Sequence, residues 1–293
     1  MTQFQFQDLF SSVANLYTRF RPRYPSALFE YLASVTLKKD VAWDCATGTG
    51  QAAVVLAQHF DQVIATDASI EQIAHAEQHP RVQYHVNPAE KSGLDSGCID
   101  LITVAQALHW FDLPAFYAEA QRVLKPEGVL AVWTYGKMEF DNPQMRSVLG
   151  HFYFDTVGSY WPPERKLVEE GYRSLAFPFD ELQTPAFKIE AAMTLDEIMG
   201  YIRTWSATQR YLKEHGHDPV LELKQKMSEI WYDPGLPETY IRTWSATQRY
   251  LKEHGHDPVL ELEQKMSEIW DDPGLPETVH WPLALRVGRA GTG

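Results

Sequence analysis

Val41-Ala-Trp-Asp-Cys-Ala-Thr-Gly-Thr-Gly50 is an apolar run that meets an acid and enters a glycine-rich turn. From Gln51 to His59 the apolar residues return at helical spacing. A strand, a glycine turn and a helix in that order put the turn at the carboxyl end of a parallel strand, where α/β sheets bind their ligands. Gly48 and Gly50 let the backbone turn tightly and approach a ligand closely. The start of the following helix offers N–H groups to an anion. Asp67 closes the next apolar run, Val63-Ile-Ala-Thr. An acid at that spacing can accept hydrogen bonds from both hydroxyls of a ribose. Gly48-x-Gly50-x-x-Ala53 also satisfies the dinucleotide fingerprint, so a nicotinamide cofactor fits these residues.

Working outward, short apolar runs alternate with helical patterns. Val63–Thr66, Val82–Val86, Ile99–Ala105 and Val129–Trp133 read as further strands, and Ile70–Glu77 and Pro114–Leu124 as helices. This alternation predicts a doubly wound parallel sheet with helices on both faces, over residues 40–136. Before it, Val13, Leu16, Tyr17 and Phe20 share one helical face, and Arg21-Pro-Arg-Tyr-Pro25 ends that helix. Residues 1–39 are expected to form an N-terminal helical lid. Residues 137–193 read as the remainder of the core, with helical spacing over 141–158, a breaker at Trp161-Pro-Pro163 and a strand over Phe187–Ala191. Thr194-Leu-Asp-Glu197 has the spacing of a capping box, so a helix starts there. Residues 279–293 read as a C-terminal strand, with Pro282 suited to a sheet edge or a strand entry.

Between these two lies a helical cap, 194–278, that contains a tandem duplication. Residues 201–239 recur as 240–278, and only Lys224/Glu263 and Tyr232/Asp271 differ. Each copy reads as a helical hairpin with one apolar stripe, Val220, Leu223, Met227, Ile230 and Trp231 in the first. A spare stripe suits an interaction or oligomerisation module, such as a homodimer formed through the cap.

The composition narrows the classes of function. With 293 residues, 44% apolar and 22% charged, the chain has the mixture of a globular protein of two domains or one large one. No apolar run approaches the ~18 residues of a membrane span. Met1-Thr-Gln-Phe-Gln-Phe-Gln-Asp8 has neither the basic nor the apolar region of a signal peptide. Two cysteines, Cys45 and Cys98, make no disulfide scaffold, so a cytoplasmic, reducing location is expected. A net charge of −13 argues against nucleic acid as the partner, while a local arginine cluster can still hold a small anion.

Asp44-x-Ala46-x-Gly48-x-Gly50 resembles motif I of the class I S-adenosylmethionine-dependent methyltransferases, which usually has glycine where Ala46 stands. Val63-Ile-Ala-Thr-Asp67-Ala68-Ser resembles the second motif of that family, Asn87-Pro-Ala89-Glu90 its adenine-side loop, and Leu124-Lys-Pro-Glu-Gly128 its entry to the fifth strand. Tyr17-Thr-Arg-Phe-Arg21-Pro-Arg-Tyr24-Pro, Ala105-Gln106-Ala-Leu-His109-Trp110-Phe-Asp and Trp281-Pro-Leu-Ala-Leu-Arg resemble the branch of trans-aconitate-type small-molecule methyltransferases. The resemblance implies a Rossmann-like, mostly parallel seven-stranded sheet whose last strand is antiparallel. It implies S-adenosylmethionine as cofactor, with Asp44, Ala46, Gly48, Gly50, Asp67, Ala68, Ala89, Glu90 and Gln106 around it. Asp44 would hold the ammonium of the cofactor and Asp67 its ribose. An NAD(P)-dependent oxidoreductase is the alternative, although no Tyr-x-x-x-Lys pair is present.

For the methyl acceptor the resemblance points to a small molecule, with a carboxylic acid favoured. His109 follows the fourth strand and can act as a base, as a hydrogen-bonding group to the acceptor, or as a structural histidine. Tyr17, Arg21 and Tyr24 face the pocket when the first helix folds over it, and an arginine can grip a carboxylate with two parallel hydrogen bonds. Arg21 and Arg23 can equally be solvated surface charges. Trp110 and Tyr135 are candidate pocket walls, while core packing is favoured for Phe111 and Trp133. His215-Gly-His217-Asp218 matches no usual zinc spacing and reads as a surface turn, so no metal is expected. Cys45 reads as a small buried residue.

Overall fold

The computed structural model describes residues 21–231 and 276–291. The helix expected over residues 11–20, Tyr17 with it, and the second copy of the repeat up to residue 275 lie outside the described residues.

In chain order the helices and strands are α1 (Ser26–Val35), β1 (Val41–Cys45), α2 (Gln51–Leu56), β2 (Gln62–Asp67), α3 (Ile70–Ala74), β3 (Val82–Val86) and β4 (Ile99–Ala105). Then come α4 (Leu113–Val123), β5 (Leu124–Tyr135), β6 (Glu139–Phe140), α5 (Pro143–His151), α6 (Arg165–Glu169), β7 (Asp180–Glu181) and β8 (Phe187–Met193). α7 (Leu195–Arg203), α8 (Ser206–His215), α9 (Val220–Trp231) and β9 (Glu277–Arg289) complete the described residues.

Five parallel strands stand in the order β3-β2-β1-β4-β5. The direction of winding reverses between β1 and β4, and the carboxyl ends of strands at such a reversal are where α/β sheets bind ligands. Alternate side chains serve opposite faces, as a pleated strand requires. On β5, Val129, Ala131, Trp133 and Tyr135 enter the core with α1 and α2, while Leu130 and Val132 enter the core with α4. α1 is itself a core element, with Leu28, Phe29 and Leu32 fully buried.

The seven-stranded expectation changes in detail, because nine strands pair among the described residues. The long β9 runs antiparallel to all its neighbours, and its registers give the reason. Leu283 pairs with both Tyr135 and Phe187, and Val279 with both Phe140 and Ala191. β5 and β6 therefore lie along one side of β9, and β7 and β8 along the other, each row interrupted once. Pro282 is not at a sheet edge. It sits opposite the interruption between β5 and β6, where the Gly136 N–H reaches its carbonyl at 3.4 Å.

Helix starts follow the local chemistry. The Thr194 side chain accepts the Glu197 N–H and the Glu197 carboxylate accepts the Thr194 N–H, a complete capping box at α7. Asn142 caps α5 and Pro143 fills its first position, where a missing N–H costs nothing. The described part of the first repeat copy packs on this body, with Tyr201, Trp205, Val220, Leu223 and Met227 buried.

Candidate active site

The loop after β1 carries three successive turns in left-handed backbone geometry, Ala46 at φ 55°, Gly48 at 57° and Gly50 at 84°. The last of these starts α2. A Cβ on Gly50 would overlap the Tyr84 hydroxyl, so glycine is required there by contact as well as by φ. Asp44 does not face outward. It is 1% exposed, and its carboxylate accepts hydrogen bonds from the Thr47 and Thr103 hydroxyls, the latter at 2.7 Å. Burial pushes its carboxyl up to about 6, against the pull of those hydroxyls. Asp44 is thus the support beneath the glycine loop. Asp67, at the end of β2, accepts the Gly48 N–H at 2.9 Å and the Ser69 N–H at 2.8 Å.

The strand order brings the other expected cofactor residues to the same sheet edge. Ala68 is exposed beside Asp67, and Ala89 is buried past the end of β3. Glu90 accepts the Asp112 N–H at 3.0 Å and so ties that loop to the start of α4. Gln106 ends β4 at φ 58°; its side chain accepts the Thr134 hydroxyl at 2.7 Å and donates to the Tyr135 carbonyl at 3.2 Å. That side chain locks the ends of β4 and β5 together.

Next to this edge the structure assembles the acceptor candidates. The Arg21 guanidinium donates to the Tyr135 hydroxyl at 3.0 Å and lies 5.4 Å from the Tyr201 ring centre. Tyr24 packs edge-on against Trp133 at 5.4 Å and beside Tyr135 at 6.3 Å. Arg23 is separate; it is exposed and ion-paired with Glu77 at 3.6 Å. Trp110 stacks against His109 at 4.7 Å. Phe111 packs on Phe116 and Trp133 is fully buried, as favoured from the sequence. Cys45 is fully buried too.

His109 Nδ1 stands 2.8 Å from the Tyr172 hydroxyl. Burial, with the Arg165 charge, drops the His109 ring to about 3, so it is neutral near pH 7. Tyr172, Tyr201 and Arg165 are site neighbours that sequence reasoning missed. Arg165 opens the short α6 and Tyr172 lies just beyond it, in a stretch with no motif, and Tyr201 opens a repeat read for its apolar stripe.

His215 and His217 belong to a turn between α8 and α9. The turn is closed by Gly216 in left-handed geometry and by an ion pair between Arg203 and Asp218 at 2.7 Å. Their Nε2 atoms meet the Tyr160 and Tyr211 hydroxyls. Among the described residues no three His, Cys, Asp or Glu side chains converge as metal ligands would.

A family model described as a methyltransferase domain matches residues 43–132. A Dictyostelium discoideum protein named as a methyltransferase is 37% identical over 233 residues, which cover 78% of this chain and 89% of the relative. A Saccharomyces cerevisiae protein named for S-adenosylmethionine-dependent methyl transfer is 24% identical over 240 residues, covering 69% of this chain and 82% of that one. A solved structure from Anaeromyxobacter dehalogenans, described as a type II methyltransferase, matches with a TM-score of 0.75 at 37% identity, covering 94% of this chain and 100% of that one. These matches select the sulfonium cofactor over the dinucleotide. The chain belongs to the class I S-adenosylmethionine-dependent methyltransferases, and S-adenosylmethionine is its cofactor.

Proposed function

We propose that this enzyme methylates a small carboxylic acid, with Arg21 as the clamp on its carboxylate. One observation carries the reading: Arg21 is held by the Tyr135 hydroxyl at the carboxyl end of β5, against the buried ring of Tyr201. A guanidinium in such a wall suits a carboxylate, because two parallel N–H groups match its two oxygens. The resemblance to the trans-aconitate-type branch favours the same acceptor class.

The glycine loop fits the cofactor on a separate observation. A Cβ on Gly48 would meet only the Gln72 side chain, at 3.8 Å, so the outer face of the loop is open beside Asp67. In this reading Ala46, Gly48 and Gly50 receive the amino-acid end, on a loop that Asp44 shapes from below. Asp67 and Ala68 take the ribose, Ala89 and Glu90 border the adenine, and Gln106 borders the methyl-bearing end. When bound, the cofactor supplies a methyl group on a positively charged sulfur, already activated for in-line displacement.

The chain then has to position the acceptor and exclude water. Arg21 orients the carboxylate, and Tyr24, Trp110 and Tyr135 wall the space around it. His109 is too weakly basic to remove a proton near pH 7. A carboxylate acceptor has no proton to lose, so a neutral hydrogen-bonding His109 suffices.

The experiment has two stages. Calorimetry with S-adenosylhomocysteine is expected to show micromolar binding. Methyl transfer to small carboxylic acids should then exceed transfer to the matching amides. Arg21→Ala should raise KM for the acid about tenfold or more, the worth of a charge-assisted pair, with S-adenosylhomocysteine affinity unchanged. Equal methylation of acids and amides would overturn the reading.

A further inference from the structure

Tyr172 adopts left-handed backbone geometry, φ 61°, directly after Gly171 at 62°. A glycine in that geometry is a common helix stop, and the Gly171 and Tyr172 N–H groups close α6 on the Val168 and Leu167 carbonyls. The stop needs one such residue. A second, with a bulky aromatic side chain, is strained and persists only where its surroundings hold it. Here β9 holds it. The Arg286 guanidinium donates to the Tyr172 carbonyl at 2.9 Å and to the Leu175 carbonyl at 2.8 Å. The Glu181 carboxylate grips the same guanidinium at 2.9 and 3.0 Å. A Cβ on Gly171 would overlap Ala284, so the turn is pressed against the sheet.

The strained residue delivers one polar atom to the candidate site. Tyr172 is fully buried, and its hydroxyl lies 2.8 Å from His109 Nδ1. Burial pushes that hydroxyl above its usual value, so it keeps its proton. The Leu108 and His109 backbone N–H groups act on the same oxygen as donors. With its lone pairs engaged, the hydroxyl is left with a proton to give. The Thr134 hydroxyl is also near, but the hydrogen bond formed is the one to Nδ1. A neutral imidazole that accepts at Nδ1 carries its own proton on Nε2. That N–H lies at the other edge of the half-buried ring, which packs between Trp110 and Tyr172.

We propose that Tyr172 is a positioning residue for His109: its hydroxyl donates to Nδ1, keeps the proton of the neutral ring on Nε2, and so sets His109 as a hydrogen-bond donor to the acceptor. The proposal rests on the acceptor reading above. A carboxylate has only acceptor oxygens, so an Nε2–H suits it and the bare Nε2 of the other tautomer repels it. Tyr172 acts through His109 and touches neither acceptor nor cofactor. The left-handed backbone, clamped by Arg286, keeps the side chain on its line to Nδ1.

The test is two-bond proton–nitrogen NMR on the full chain, labelled at histidine nitrogen and bound to S-adenosylhomocysteine, with His109→Gln to assign the signals. Near neutral pH, His109 Nδ1 should resonate as an unprotonated nitrogen and Nε2 as a protonated one. Tyr172→Phe keeps the ring and removes the hydroxyl. It should move both nitrogens toward the averaged position of mixed tautomers. It should also raise KM for a small carboxylic acid about threefold to tenfold, the worth of one buried hydrogen bond, with S-adenosylhomocysteine affinity unchanged. A packing role alone would leave the two nitrogen signals where they are, and that result overturns the proposal. A proton on Nδ1 in the unaltered chain overturns it as well, whether or not the variant folds. The tautomer is read without an acceptor. Equal methylation of acids and amides beside a protonated Nε2 would therefore sink the carboxylate reading and leave Tyr172 as the residue that sets the ring.

Discussion

The Asp67 carboxylate at the end of β2 accepts the backbone N–H of Gly48 in the loop after β1, at 2.9 Å. The acid expected to serve the ribose therefore also fixes the turn that approaches the cofactor. Its other oxygen accepts the Ser69 N–H, ahead of α3. Asp67→Ala removes both anchors. S-adenosylmethionine affinity should fall at least tenfold, since bonds to a charged group are worth about 1.5–3 kcal/mol each. Unchanged calorimetric affinity would separate Asp67 from cofactor binding.

Asp44 is a stability liability near neutral pH. Its native carboxyl titrates at about 6, against 3.8 as the usual value. The folded state thus binds the proton more tightly than the unfolded chain does. The associated stability is complete below pH 3.8 and is lost as pH rises through 6. Asp44→Asn keeps an acceptor for one of the two threonine hydroxyls, offers an amide N–H to the oxygen of the other, and removes the buried charge. It should stabilise the protein by on the order of 2–3 kcal/mol at pH 7.5. The gain should vanish at pH 3.5. Urea unfolding at the two pH values checks the sign, and a gain that is constant with pH would contradict the assignment.

Ala46 occupies a left-handed conformation, φ 55°, which glycine adopts without steric cost. A side chain there costs about 1–2 kcal/mol, partly offset by the greater freedom glycine has when unfolded. Ala46→Gly should therefore stabilise the chain by about 1 kcal/mol, or roughly 2–4 °C in Tm. A lower Tm would show that the methyl group of Ala46 makes a contact worth more than the strain.

The repeat allows an unusual comparison. Deleting residues 201–239 or 240–278 leaves the same chain, except at the positions of Lys224/Glu263 and Tyr232/Asp271. Met193 pairs with Glu277, so the excursion between β8 and β9 leaves and re-enters the sheet at one place. Lys224 pairs with Asp196 of α7 at 2.7 Å. The variant lacking 240–278 keeps this pair, while the variant lacking 201–239 sets Glu263 in the place of Lys224. Both should fold and bind S-adenosylhomocysteine. The first should be more stable by a few tenths to about 1 kcal/mol, the range of exposed ion pairs. The difference should shrink in high salt. Equal stability at low salt would remove the role given to Lys224.

What can be read along the chain, and what cannot, divides on one physical ground. The strand–turn–helix after Val41, the acid at Asp67, the parallel order of strands and the capping box at Thr194 all follow from local chemistry. Side-chain period, glycine and proline geometry and caps act within a few residues, so one segment carries the whole signal. The seven-row sheet came with the family resemblance, yet the split of two rows into β5 with β6 and β7 with β8 follows from pairing with β9. The direction of Asp44, inward under the loop, depends on Thr103 arriving from β4. Arg21 meets Tyr135 across 114 residues, and His109 meets Tyr172 across 63. Arg165, at the start of α6, meets Trp161 and Tyr153 with no motif to announce it. The sequence by itself determined the fold class and the glycine turn after β1, because those depend on short-range geometry. Only the tertiary structure decided which distant side chains face each other across the acceptor site, because crossovers and sheet register set those encounters.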